Sequence, residues 1–203
     1  MFNMLLDELP ETVTIDGREY PVNWQYQCII EVDNALHDPD IDENNRRLAA
    51  LSLFYDCDIP DNILGALEQM YGFLVADKPM NRAQKSAAER YKNAPAVLSF
   101  DHDDEYIFAA FMQMYGINLN RMKGIHWYEF RAMLNALDDC PFTRIRNYRG
   151  TDLSKIKDAK ERSRMAEIKA LYELPVSQAE QDAMDEIEQA LLNGGDLSRF
   201  FGD

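Results

Sequence analysis

The sequence predicts a mainly α-helical protein: a helical bundle with a short N-terminal β-hairpin and a C-terminal acidic helix plus tail. Three observations predict it. From residue 26 onward, apolar residues recur at i, i+3, i+4 and i+7 in one stretch after another. A single early segment, residues 12–22, instead brackets an Asp-Gly pair with strand-forming residues. The helical stretches also carry end signals: Gly116 as a left-handed C′ residue, Pro141 in a first turn, and a Ser177-Gln178-Ala179-Glu180 capping box.

Each element follows in order. Thr12–Ile15 and Arg18–Val22 form the hairpin, because Asp16-Gly17 supplies the two positive-φ positions of a type I′ turn. Pro21 lacks an N–H, so the second strand is an edge there or ends there. A lone two-stranded ribbon is marginal in water, so Val13, Ile15, Tyr20 and Val22 are expected to lean on helices or on another chain. Asn23 is the expected N-cap of a first helix reaching Leu36, and Arg46–Tyr55 is the second. A third starts after Pro60-Asp61, with Ile63, Leu64, Leu67, Met70 and Phe73 at helical spacing. Residues 77–99, rich in Ala, Lys, Arg and Asn, read as a mobile linker. The acidic run from Asp101 to Glu105 opens a helix that Gly116 closes. Trp127, Phe130 and Leu134 mark the next, and Phe142, Ile145 and Tyr148 the one after Pro141. Asp152–Leu174 reads as one long charged helix ended by Pro175. The resulting organisation is 1–76, hairpin and helices; 77–99, linker; 100–174, a helical region ending in a charged arm; and 175–203, an acidic helix and flexible tail.

Charge narrows the function. The 203 residues carry 36 acidic and 21 basic side chains, net −15, which argues against nucleic acid as a partner and against anionic membranes. That charge is uneven. Residues 1–141 are net −13, residues 142–169 are net +5, and residues 170–203 are net −7. Arg144, Arg146 and Arg149 beside Tyr148 form a small basic patch within the middle segment, suited to an anion or to the protein's own acidic segments. Cys28, Cys57 and Cys140 sit among apolar neighbours with no CxxC, as free thiols in a reducing cytoplasm do. Residues 1–8 have neither the basic start nor the apolar length of a signal peptide.

The chemistry-bearing motifs fail one by one. Asp101, Asp103 and Glu105 open like a calcium loop, but Tyr106 stands where Gly is needed and Met112 where Glu is needed; helix capping is the reading adopted. His37, His102 and His126 show no metal-binding spacing. His126-Trp127 reads as a helix-start histidine and a core indole rather than an acid–base element with Glu129. No GxSxG, GxxxxGK[ST] or GxGxxG occurs. No catalytic, cofactor-binding or metal-binding residue is therefore assigned, and no cofactor is expected. Protein binding fits better. Met112, Met114, Met122 and Met133 suit an adaptable apolar surface, although methionines also fill core gaps. Leu197 with Phe200-Phe201 after Gly194-Gly195 is an apolar anchor flanked by charge, free to dock on a partner or to fold back on the body.

Three groups of residues together carry a resemblance. They are Leu9-Pro10-Glu11 running into Thr14-Ile15-Asp16-Gly17-Arg18-Glu19-Tyr20-Pro21-Val22; Phe100-Asp101 through Tyr115-Gly116-Ile117-Asn118-Leu119; and Ile125-His126-Trp127-Tyr128-Glu129-Phe130-Arg131 with Phe142 to Arg149. Over roughly residues 5–174 the chain resembles the gene-product-fifteen family of long-tailed phages and prophages of Gram-positive bacteria. The resemblance implies a role in virion assembly, since genes of that family typically lie between those for the tail tube and the tape measure. It transfers no catalytic residue. The expectation is a tail assembly chaperone in the host cytoplasm that binds and solubilises the tape measure protein, with the tail tube protein as a second partner and homo-oligomerisation open. The alternative it allows is a minor tail or head–tail connector protein retained in the virion. Deleting residues 194–203 is expected to leave circular dichroism and Tm unchanged while weakening co-purification with one tail partner; retention of every partner would remove the tail's docking role.

Overall fold

The computed structural model describes residues 3–76 and 96–175. Strands β1 (Thr12–Ile15) and β2 (Arg18–Pro21) pair antiparallel, with Ile15 opposite Arg18 and Thr12 opposite Pro21. Asp16 and Gly17 take φ of 50° and 78°, the positive pair that the turn demands. Val13 and Ile15 are buried, against helices of the same chain. Beyond Pro21 the Val22 N–H still donates across the hairpin to Glu11 O at 3.0 Å, and the chain then turns to α2. Val22 bridges Tyr55, the Asn23 N–H donates to Phe54 O at 2.8 Å, and its side-chain amide donates to Leu53 O at 2.9 Å. Held there, Asn23 is not the cap of the first helix: Gln25, two residues on, occupies the N-cap position and makes no side-chain cap hydrogen bond. The Trp24 N–H donates to Val22 O at 3.0 Å, turning the chain at Asn23; Gln25 is extended and α1 spans Tyr26–His37.

Helix α2 (Glu43–Phe54) begins three residues before the expected Arg46, because Asp42 Oδ1 accepts from the N–H groups of Asn44 and Asn45 at 3.1 and 3.2 Å. Helix α3 (Ile63–Leu74) follows Asn62, whose side-chain oxygen accepts from Gly65 N–H at 3.0 Å. Gly65 is required by proximity: a Cβ there would stand 3.0 Å from Ile15 Cγ2 and 2.9 Å from Asn62 Nδ2. Helix α4 (Asp104–Tyr115) ends on Gly116, left-handed at φ 66°, as its sequence predicts. Helix α5 (Trp127–Asn135) is capped by His126, and α6 (Pro141–Gly150) carries Pro141 in its first turn.

The predicted helix 152–174 is broken. A 3₁₀ turn at Leu153–Lys155 precedes α7 (Ala159–Leu171), because two aspartates each start their own element. Asp152 Oδ1 accepts from Ser154 N–H and hydroxyl at 3.0 and 2.6 Å, and Asp158 Oδ1 accepts from Glu161 N–H at 2.7 Å. Residues 77–95 of the expected linker and the expected acidic helix and tail beyond residue 175 lie outside the described residues.

One hydrophobic cluster draws on both long stretches, from Val13 through Phe73 and from Ile107 through Phe142. Phe130 of α5 is its centre. Tyr26 of α1 stacks on it at 4.5 Å between ring centroids and Phe111 of α4 at 5.1 Å, while Trp127 lies 5.9 Å away. Buried tyrosines complete the polar accounting: Tyr26 donates its hydroxyl to Leu119 O at 2.9 Å and Tyr55 to Ala66 O at 3.0 Å. Burial pushes the Tyr55 hydroxyl up to about 12.

Two residues read from sequence as surface groups are interior. Asp103 does not cap α4. It is 0% exposed and takes Arg149 Nη1 at 2.6 Å and Nη2 at 2.9 Å, while Ser99 N–H donates to Oδ2 at 3.0 Å. Arg149, 8% exposed, also donates to Tyr172 O at 2.6 Å and Val97 O at 3.3 Å, so it leaves the expected basic patch. Cys57 departs the other way: it is exposed, whereas Cys140 is buried as expected.

Asp103→Asn, which leaves the Arg149 charge buried and unpaired, is expected to destabilise the protein by about 3–5 kcal/mol in urea unfolding. Combining Asp103→Leu with Arg149→Met should recover part of that loss, because no buried charge then remains.

Candidate partner-binding surface

Helix α3 has the composition of a core helix but lies at the surface. Its sequence, ILGALEQMYGFL, has a single charged residue, Glu68. A helix apolar on all sides is stable in water only when both faces are covered. The inner face is covered: Ala66, Met70 and Phe73 are buried. Phe73 packs edge-on to Phe54 at 5.4 Å between centroids and tilted against Tyr128 at 5.0 Å. The outer face is not. Leu64, Glu68, Tyr71 and Val75 follow at i, i+4, i+7 and i+11, an exposed stripe that is apolar apart from Glu68, while Leu67 at its edge packs against the core. Leu64 is 80% exposed, Val75 49% and Tyr71 44%, with Ile63 beside them.

The stripe stands on a rigid base. At the C-terminal end of α3, Trp127 Nε1–H donates to Leu74 O at 3.0 Å and Arg131 Nη1 donates to Val75 O. Carbonyls otherwise orphaned at a helix end are thereby satisfied from α5. His126 supports the same region from below. Its ring lies 5.8 Å from Phe73 and stacks on Trp24 at 5.5 Å.

His126 itself is committed to structure. Tyr128 N–H donates to Nδ1 at 3.0 Å, so Nε2 carries the proton and donates to Pro10 O at 2.9 Å. Its backbone N–H donates to Glu129 Oε2 at 3.0 Å, closing a reciprocal capping box. Burial pulls the imidazole pKa below its ordinary 6.5, against smaller opposing contributions from Pro10 O, Glu129 and Glu11. Both ring nitrogens and the Glu129 carboxylate are engaged, which is the helix-start role the sequence suggests. Among the described residues, no group of three or more His, Cys, Asp and Glu side chains could hold a metal ion.

The methionines are scattered rather than pooled. Met112, Met114 and Met122 are exposed, and Met133 is half-buried against the core. Two residues apart on α4, Met112 and Met114 point about 200° from one another, so that helix does not gather them into one stripe. Leu197, Phe200 and Phe201 lie outside the described residues. The sequence analysis reads Ile63, Leu64, Leu67, Met70 and Phe73 at helical spacing and does not separate the exposed face of α3 from the buried one. The available signal was the near-absence of charge around α3.

Residues 5–174 match the family model described as Bacteriophage Gp15 protein. No curated protein and no solved structure matches the chain.

The His126 shift fixes a pH dependence. The unfolded imidazole binds a proton near its ordinary 6.5 and the folded one only at lower pH. The stability contributed by neutral His126 is therefore complete above 6.5 and is lost as pH falls from there through the lower folded value. His126→Asn keeps a capping side chain but cannot titrate. Its Tm deficit relative to wild type is expected to shrink steadily between about pH 7.5 and pH 5; a constant deficit would show that His126 does not titrate on unfolding.

Proposed function

Because the chain belongs to the Bacteriophage Gp15 protein family, we propose that it acts in assembly of the phage tail, as a non-enzymatic chaperone that binds the tape measure protein before the tube forms around it. The observation that carries the reading is the outer face of α3, apolar apart from Glu68, exposed at Leu64, Tyr71 and Val75, and anchored at its C-terminal end by Trp127 and Arg131. A long helical protein with apolar stripes needs such a surface to stay soluble, and a helix-on-helix contact is the simplest way to cover both. Each Leu- or Val-sized side chain taken fully out of water contributes about 1.5–3 kcal/mol, before the cost of ordering the interface. The net charge of −15 then keeps the coated complexes apart. Affinity comes from α3 and solubility from the acidic remainder. The tail tube protein is the second partner proposed, and the host cytoplasm the site of action.

Leu64→Asp combined with Tyr71→Asp tests this without touching the core. Surface substitutions of this kind change stability by no more than about 0.5 kcal/mol. The double variant should keep the wild-type Tm, lose affinity for co-expressed tape measure by about tenfold or more, and fail to support tail formation. Undiminished co-purification would exclude α3 as the docking face. Mass spectrometry of purified particles addresses the role: a chaperone should be absent from mature virions, whereas stoichiometric recovery would establish a minor tail or connector protein.

A further inference from the structure

A groove of about 330 Å³ lies along α6, lined by Val97, Thr143, Arg146, Asn147 and Gly150. Its one charged wall is Arg146. The guanidinium stacks over the Phe142 ring at 5.4 Å, and its Nε–H is buried without an acceptor among the described residues. This contrasts with Arg149 one turn on, whose three guanidinium nitrogens are all engaged, by Asp103, Tyr172 and Val97. A half-buried arginine with donor capacity to spare, beside an apolar wall, fits a carboxylate-bearing peptide.

Two long stretches of this chain lie outside the described residues, 77–95 and 176–203, and charge separates them as candidate occupants. Residues 77–95 end beside Val97 but carry five basic and two acidic side chains, so Arg146 repels them. Residues 176–203 carry seven acidic and one basic, five of those carboxylates falling within Glu180–Glu188. Their starting point is fixed close by: Tyr172 O accepts from Arg149 Nε at 2.6 Å, and the Tyr172 ring stacks on Tyr148 of α6 at 6.0 Å. Four residues separate Pro175 from Glu180, five Cα–Cα steps that reach roughly 17 Å when extended. The acidic body, net −13 over residues 1–141, repels this segment everywhere else, whereas residues 142–175 offer nine basic against five acidic side chains.

We propose that the acidic stretch Glu180–Glu188 docks in the α6 groove of its own chain, with a carboxylate on Arg146. This goes beyond the tail-assembly reading and does not depend on it. The contact holds the C-terminal segment against α6 and leaves the α3 face free.

The test is NMR of the full chain. The comparison is a variant with Glu180→Gln, Asp182→Asn, Asp185→Asn, Glu186→Gln and Glu188→Gln. In the wild type, the Arg146 Nε–H should exchange with solvent at least tenfold more slowly than in the neutralised variant. Backbone shifts between the two should concentrate at Val97, Thr143, Arg146, Asn147 and Gly150. Raising salt from about 50 mM to about 500 mM should reproduce the neutralised spectrum, and Arg146→Gln should abolish the response to salt. Equal exchange rates, or shifts that avoid the groove, would overturn the proposal. So would shifts that appear only as protein concentration rises, since the acidic segment would then come from a second copy.

Discussion

The buried contact between Asp103 and Arg149 is the constraint on which the second half of the molecule is arranged. Two charges removed from water cost several kcal/mol each unless their geometry and remaining hydrogen bonds compensate. Here the carboxylate takes both terminal nitrogens of the guanidinium and a backbone N–H from Ser99. The guanidinium spends its other donors on the carbonyls of Val97 and Tyr172. One ion pair therefore fixes the start of α4, the end of α6, the stretch leading into α4 and the end of α7. Any shift of those four pieces would strand a buried charge. The position of the α6 groove and the point at which the chain leaves α7 are consequences of that requirement.

The junction between the two halves is organised differently, by aromatic packing and by backbone groups that side chains must satisfy. Phe130 is stacked between rings from α1 and α4, and His126 ties Pro10, Trp24 and α5 together. Trp127 and Arg131 finish the C-terminal turn of α3. These contacts leave α3 with little freedom to turn its apolar outer face inward. A helix held this firmly with Leu64 and Tyr71 in water represents an unfavourable surface, and a partner that covers it lowers the free energy of both molecules. In the proposed reading, α3 supplies the contact with a partner and the acidic remainder limits self-association.

Much of the architecture was legible locally. Asp16-Gly17 demanded a hairpin because only certain residues accept two positive φ values in succession. Gly116, Pro141 and His126 each marked a helix end through a requirement confined to one turn. Failures arose where two local signals competed. Asn23 had the chemistry of a cap, but its bonds to the end of α2 hold it two residues ahead of the N-cap position, which Gln25 occupies. Asp152 and Asp158 both had the chemistry of element starts, and together they divided what propensity alone read as one helix. For the surfaces, methionine composition drew attention to residues that α4 points in different directions, while α3 drew none, because an apolar helix reads as core until its neighbours are counted.

By itself, the sequence determined the fold class, the hairpin and its turn, most helix ends and the separation of acidic from basic segments, since each depends on residues close together in the chain. The tertiary structure alone decided that Asp103 and Arg149, 46 positions apart, form a buried pair rather than a cap and a surface patch. It alone decided which face of α3 meets Phe54 and Tyr128 and which meets water. Helical spacing states that a residue is apolar and where it points relative to its neighbours. Only the packing of distant elements determines whether anything lies in that direction.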